Sequence, residues 1–205
     1  MAGEHYFTQD PTAPLKTSEV TFEVGQTEFS LVAGSGTFSS SKLDPGTRVL
    51  LSKYSHFPTT GNVLDLGCGW GPISCAIARL SPETKLWALD INQRSLDLTE
   101  QNAKKLGLHN VKPVVANQIP EDIEFSAIWS NPPIRIGKAA LHQLLKTWLP
   151  KLAPEGVAML VVAKQLGADS LGAWIQNEFP GLETSRFSTD KGYRVLRVVR
   201  PLAPQ

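Results

Sequence analysis

Val63-Leu64-Asp65-Leu66-Gly67-Cys68-Gly69-Trp70-Gly71-Pro72 decides the fold: an apolar strand runs straight into an acidic, glycine-rich turn. Val63 to Leu66 is short and apolar apart from Asp65, as a strand buried within a sheet should be. An acid at the carboxyl end of such a strand lies where open α/β sheets bind ligands. Gly67, Gly69 and Gly71 let the backbone turn sharply and approach a ligand without Cβ clashes. A nicotinamide or flavin dinucleotide is the first ligand to weigh, since its fingerprint also joins strand, glycines and helix. Counting from Gly67, however, the third glycine of Gly-x-Gly-x-x-Gly falls on Pro72. Proline is tolerated in a first helical turn, but it removes an N–H that a pyrophosphate would use. Asp65 would also repel a phosphate. S-adenosylmethionine has no phosphate, and carries an ammonium group and a cationic sulfonium, so the charge pattern suits that cofactor.

A second acid stands where this reading needs one. Asp90 closes Lys85-Leu86-Trp87-Ala88-Leu89-Asp90, about 20 residues beyond the glycine turn, where a carboxylate can accept hydrogen bonds from both ribose hydroxyls. Ile91 follows and is placed to cover a face of adenine. Asn117, after the third strand, offers an amide donor and acceptor to the adenine edge. Cys68 sits in the cofactor loop without a neighbouring histidine, and reads as a small packing residue there rather than a nucleophile.

Outward from the turn, strands are predicted near 62–66, 85–90, 111–115, 125–130 and 156–163. Helices near 72–80, 93–106, 138–151 and 168–178 alternate with them, a rhythm that makes a parallel sheet covered on both faces. Ile73, Ala76, Ile77 and Leu80 give the first of these helices its apolar stripe. The tail departs from the rhythm. Glu183 to Ser188 and Tyr193 to Val199 are joined only by Thr189-Asp190-Lys191-Gly192, so they pair antiparallel and a reversed strand ends the sheet. The expected fold is therefore α/β: a Rossmann-like, mostly parallel seven-stranded sheet finished by an antiparallel hairpin.

Ahead of this domain, residues 1–19 read as a loosely ordered lead-in. Thr21 to Val24 and Glu28 to Val32 alternate polar with apolar around Gly25-Gln26 and predict a hairpin. Gly34 to Ser41 reads as a flexible stretch carrying one aromatic, Phe38. Asp44-Pro45 starts a helix that turns Val49, Leu50 and Tyr54 inward and ends near Phe57-Pro58. The chain thus divides into an extension over 1–58 and a catalytic domain over 59–205.

Composition narrows the class. The 205 residues, 41% hydrophobic and 19% charged, are enough for a full core. Twenty basic and nineteen acidic side chains leave a net charge of +1, so any nucleic-acid contact is local rather than a broad coat. No apolar run reaches membrane-spanning length, and Met1 to Asp10 lacks the pattern of a secretory signal. Cys68 and Cys75, without metal-ligand partners at useful spacing, fit a reducing cytoplasm. His5, His56, His109 and His142 are scattered, and none is assigned a role.

The reacting end of the site is read from Ser130-Asn131-Pro132-Pro133-Ile134, which follows the fourth strand at the same sheet edge as Gly67 and Asp90. The two prolines fix φ and leave carbonyls with no companion N–H, and Asn131, preceding proline, is held extended. A planar exocyclic amine is a poor nucleophile because its lone pair is delocalised into the ring. Two fixed acceptors, the Asn131 side-chain oxygen and the Pro132 carbonyl, can grip its hydrogens and favour a pyramidal nitrogen.

These residues carry a family resemblance. Asn-Pro-Pro-x looks like the motif of methyltransferases acting on amino groups of adenine, guanine or glutamine. Asn131 to Lys138, the run from Gly36-Thr37-Phe38-Ser39 to Asp44-x-Gly46-Thr47, and Gly192-Tyr193-Arg194-Val195-Leu196 together resemble the RsmC-like family of ribosomal RNA guanine-N2 methyltransferases. The likeness runs from about Tyr6 to Arg200 and includes stand-alone single-domain members, the form expected here. It implies S-adenosylmethionine as donor and a guanine of small-subunit ribosomal RNA as acceptor, in keeping with a cytoplasmic enzyme; the sequence leaves the oligomeric state open, a monomer included. Its cofactor positions fall on Asp65, Gly67, Gly69, Asp90 and Asn117, with Cys68, Gly71, Ile91, Asp44 and Thr47 beside them, and its catalytic motif on Asn131 to Ile134. Ile134 stands where many relatives place an aromatic, so base stacking is expected from another residue, with Phe38 the candidate. Arg135, Lys138, Lys164, Lys191 and Arg194 are the expected phosphate contacts. The rival readings are the same chemistry on a glutamine, a DNA adenine or a small molecule, and an RNA-binding module without catalysis.

Overall fold

The structure, a computed structural model, describes residues 14–202; the first thirteen residues of the expected lead-in lie outside it. Strands β1 (Thr17–Val24) and β2 (Thr27–Gly34) pair antiparallel as a separate two-stranded sheet, and helix α1 (Pro45–Leu51) follows. The second sheet holds β3 (Gly61–Leu66), β4 (Thr84–Leu89), β5 (Val111–Val114), β6 (Phe125–Ser130), β7 (Leu152–Ala163), β8 (Glu183–Asp190) and β9 (Tyr193–Val199). Helices α2 (Pro72–Leu80), α3 (Gln93–Lys105), α4 (Lys138–Trp148) and α5 (Ala168–Glu178) lie between them. Strand order is β5-β4-β3-β6-β7-β9-β8, the expected seven-stranded Rossmann-like sheet.

One detail of the sheet differs from expectation. β9 is antiparallel to both β7 and β8, so the single reversed strand is inserted second from the edge and β8 closes it. The β8–β9 turn is only Lys191-Gly192, both at positive φ (46° and 81°), as a two-residue hairpin of the right hand requires. Because β9 runs backwards, its first residues lie at the same edge as the carboxyl ends of β3, β4, β6 and β7.

Two hydrophobic clusters sandwich the sheet. One joins β1, β2 and α1 to Ile73, Cys75, Ala76 and Ile77 of α2 and Leu96 and Leu98 of α3. The other joins Leu64, Leu66 and Ile128 to Leu141, Leu145 and Trp148 of α4 and Leu171 and Ile175 of α5. Two expected core residues are displaced. Leu80, the last residue of α2, is 37% exposed, while Ser74, Cys75 and Ala78 are buried. Tyr54 is 44% exposed because α1 stops at Leu51 and Tyr54 begins a separate 3-10 turn whose ring packs over Gly25.

The hairpin is fastened to the domain by a fully buried asparagine. Asn102 of α3 accepts from Val32 N (2.8 Å) and donates to Val32 O (2.9 Å) and Trp70 O (2.8 Å), so one amide satisfies a free strand edge and the glycine loop together. The 34–41 segment, expected to be flexible, is tied down. Asn92 donates to Gly36 O, Arg94 to Ser35 O, and the buried Trp70 indole to Phe38 O and Ser39 O (3.1 and 3.2 Å).

Candidate active site

Gly67, Gly69 and Gly71 all take left-handed backbone, with φ of 78°, 57° and 85°. Gly67 N and Cys68 N both donate to Leu89 O (2.9 and 3.0 Å), pinning the loop to the end of β4. Gly69 N donates to Asp90 Oδ2 and Asn92 N to Asp90 Oδ1, each at 2.9 Å. Asp90 is therefore fixed by backbone donors one residue beyond its strand, and it lines the cavity described next. Burial pushes its carboxyl above the ordinary range, and these N–H bonds oppose the shift.

A cavity of about 310 Å³ opens along this edge. Asp90, Ile91, Leu89 and Ala116 line one end, Leu66 and Gly67 the middle, and Asn131, Pro132, Pro133 and Ile134 the other. A Cβ on Gly69 would meet no atom within 4 Å, and one on Gly67 only Pro133 Cδ at 3.8 Å, so the glycines border open space that side chains would fill. A smaller hollow beside it is lined by Phe38, Asp44, Thr47, Cys68, Gly69 and Asn131. Ile91, 55% exposed, offers a bare apolar face to the cavity. The dimensions and donor set fit an adenosine-bearing cofactor: an acid for hydroxyls, an apolar cover for a ring, and a cradle without Cβ atoms.

Three of the expected cofactor residues stand elsewhere than their expected roles require. Asp65 is fully buried and lines neither hollow. Strand alternation turns it toward α2, where Ser74 Oγ donates to its Oδ2 at 2.6 Å and Oδ1 has no partner. Desolvation raises its pKa to about 7, so direct contact with a ligand is replaced by a place behind the loop. Asn117 is exposed on a short turn, and it is its neighbour Ala116 that lines the cavity. Gly71 faces Thr99, whose Oγ1 would lie 2.8 Å from an added Cβ, so its glycine is needed for close packing. Cys68 is buried against Gly69 O and Thr99 Oγ1, and burial holds its thiol well above the usual range, as a packing residue should be.

The Asn131 loop is rigid in a specific way. Ser130 Oγ donates to Leu66 O at 2.6 Å, binding it to the glycine loop. Ile134 N donates to Pro132 O at 2.8 Å across Pro133 (φ −74°, ψ 70°), an inverse γ-turn that occupies one lone pair of that carbonyl and leaves the other. Asn131 Nδ2 donates to Asp44 Oδ1 (2.7 Å) and Thr47 Oγ1 (3.0 Å), so both amide hydrogens are taken.

The expected phosphate contacts divide. Lys138 and Lys164 are exposed at the first residue of α4 and just after β7, and Lys191 is exposed in the β8–β9 turn. The side chain of Arg135 lies outside the described residues. Arg194 is 8% exposed, paired through Nε to Asp169 Oδ1 at 2.6 Å, and donates through Nη1 to Thr189 Oγ1 at 2.8 Å. It faces α5 and braces the sheet, so it is withdrawn as an RNA contact. Its neighbour Tyr193, which sequence reasoning passed over, points the other way and lines the cavity with Phe38, Ile136, Trp148, Gln165 and Leu166. The signal was the reversed strand: the residue after Lys191-Gly192 must stand at the ligand edge, and strand parity decides which of the pair turns toward it.

The sequence profile of the family described as "Methyltransferase small domain" matches residues 28–197. The YbxB protein of Bacillus subtilis (strain 168), an uncharacterized protein, is 29% identical over 198 residues, covering 95% of this chain and 97% of its own. Ribosomal RNA small subunit methyltransferase C of Aeromonas hydrophila is 34% identical over 135 residues, 65% of this chain and 38% of that one. This chain thus spans well under half the length of that relative. In structure, the chain resembles the 16S rRNA N2 G1207 methyltransferase (RsmC) of T. thermophilus, solved with AdoMet and guanosine, at a TM-score of 0.76 and 22% identity over 93% of this chain and 52% of that one. With its profile matched across most of its length and a cavity at the carboxyl edge of the matching sheet, the chain belongs to the methyltransferase small domain family.

Proposed function

We propose that the protein transfers a methyl group from S-adenosylmethionine to the exocyclic N2 amine of a guanine in small-subunit ribosomal RNA. The observation that carries this reading is the single cavity that runs from Asp90 and Ile91 past Gly67 to Asn131 and Pro132, joining a donor end to an acceptor end. When bound, S-adenosylmethionine supplies an electrophilic methyl whose C–S bond breaks as the C–N bond to the amine forms. Asp90 holds ribose hydroxyls at the donor end, and Ile91 covers the adenine. At the acceptor end, Asn131 Oδ1 and the spare lone pair of Pro132 O accept the two amine hydrogens. That grip favours a pyramidal nitrogen, and the proton released on transfer passes to water, so no strong base is needed.

The target base would be turned out of its stack to bring its amine to Asn131 and Pro132. Phe38 and Tyr193 supply the aromatic faces that Ile134 cannot. The relatives named for ribosomal RNA support the choice of acceptor. Incubating the protein with labelled donor and, in parallel, small ribosomal subunits, naked ribosomal RNA, duplex DNA and glutamine-containing proteins tests it. Label recovered as N2-methylguanosine is expected. Label confined to DNA or protein removes the RNA assignment.

A further inference from the structure

We propose that Asp44 and Thr47 are positioning residues for Asn131: the cap of α1 holds the Asn131 amide in the one orientation that offers its carbonyl oxygen to the acceptor amine. This rests on the reading of Asn131 as the amine's acceptor, and differs from the cofactor contacts that family resemblance implies for Asp44 and Thr47.

An asparagine amide turned over by 180° has nearly the same shape, so only its hydrogen-bond partners decide which end faces a cleft. Here the partners leave one choice. Asn131 Nδ2 sits 2.7 Å from Asp44 Oδ1 and 3.0 Å from Thr47 Oγ1. Among the described residues Asn131 Oδ1 takes no hydrogen bond, while Asn131 lines the cavity. Turned over, its oxygen would confront the Asp44 carboxylate, and its NH2 would face the hydrogens of an incoming amine, donor against donor. The flipped site is dead.

Asp44 is itself fixed. Its Oδ1 also accepts Thr47 N at 3.0 Å as the helix N-cap, and Pro45 presets the first turn. Tyr193 packs over Gly46, where a Cβ would lie 2.9 Å from its ring, closing the clamp from the β9 side. The clamp joins parts of the chain 84 to 87 positions apart, which makes the N-terminal segment part of the reacting site rather than an appendage.

Asp44→Ser keeps a helix-capping oxygen for Thr47 N while removing the carboxylate that Asn131 Nδ2 meets at 2.7 Å. Thr47→Val removes the second acceptor at constant shape, and Thr47→Ser restores it. With donor affinity measured by calorimetry and turnover at saturating donor, Asp44→Ser is expected to lower kcat about tenfold to a hundredfold and leave donor Kd within about threefold. Thr47→Val should show a smaller loss of the same kind, recovered in Thr47→Ser. In an Asn131→Ala background, Asp44→Ser should cost no further rate. A raised donor Kd with unchanged kcat, or additive losses in the double variant, overturns the proposal. A readout without substrate keeps it separate from the function assigned above. The side-chain NH2 protons of Asn131, followed by NMR, should exchange slowly in the wild type and faster in Asp44→Ser. Equal exchange in both overturns the clamp, whereas a wild type that methylates no RNA, with the exchange difference present, overturns only the function.

Discussion

Asp65 shows how far a residue's role can shift while its identity reads correctly. The acid before the glycines was legible; its direction was not, because that depends on which face of β3 is covered by α2. Its buried carboxyl has one oxygen on Ser74, the other unpartnered, and a pKa raised from 3.8 to about 7. A carboxyl whose folded pKa exceeds its unfolded one keeps its proton in the folded chain after the unfolded chain has lost it. Stability from this group is therefore greatest at low pH and falls as pH rises through the interval up to about 7. Asp65→Asn removes the titration, so its stability relative to wild type should improve by about 3 kcal/mol between pH 5 and pH 8.5 in urea unfolding. A difference independent of pH would show that Asp65 is ionised throughout. Tyr193 and Arg194 give the same lesson in parity: the motif was visible, but reading the wrong member of the pair sent a brace to the cleft. Tyr193→Ala should raise the KM for RNA about tenfold to a hundredfold, as loss of one stacking face does, while Tyr193→Phe stays near wild type. Equal effects of the two would assign the loss to the hydroxyl instead.

Elements were read more accurately than the side chains on them. Alternation of apolar strands with amphipathic helices depends on local period alone, and α2 and α5 begin and end where their patterns predict. The order of the last two strands required knowing the sheet edge, which no local pattern carries, and so β9 was not foreseen between β7 and β8. The glycine turn is an element in its own right, and its three left-handed residues serve different ends: room at Gly67 and Gly69, packing at Gly71. Gly71→Ala sets an L-residue at φ 85° with its Cβ 2.8 Å from Thr99 Oγ1. Strain and overpacking together should lower stability by about 2–4 kcal/mol, with Thr99→Ala in the same chain recovering only the packing share. Full recovery by Thr99→Ala would mean that the backbone conformation costs nothing.

At the scale of the whole molecule, segments far apart in sequence converge on one edge: the Phe38 segment and α1, the β3 and β4 ends, the Asn131 loop and the start of β9. The sequence names each motif, yet the bond from Asn131 to Asp44 spans 87 positions and becomes visible only once α1 is docked against the sheet. With a net charge of +1, the RNA of the proposed reaction would be held by few contacts near this edge. Reversing Lys138 and Lys164 to glutamate should weaken RNA binding across sequences and flatten its dependence on salt by about one to two counterions. An unchanged slope would place the phosphates elsewhere. The central claim, that Asn131 grips the reacting amine while the donor is held independently, is tested most directly by the single-turnover rate of Asn131→Ala at saturating S-adenosylmethionine on the RNA that the wild type methylates. The expected result is a rate about a hundredfold to a thousandfold lower, with donor affinity unchanged. An undiminished rate, or a loss that appears only as weaker donor binding, would contradict it.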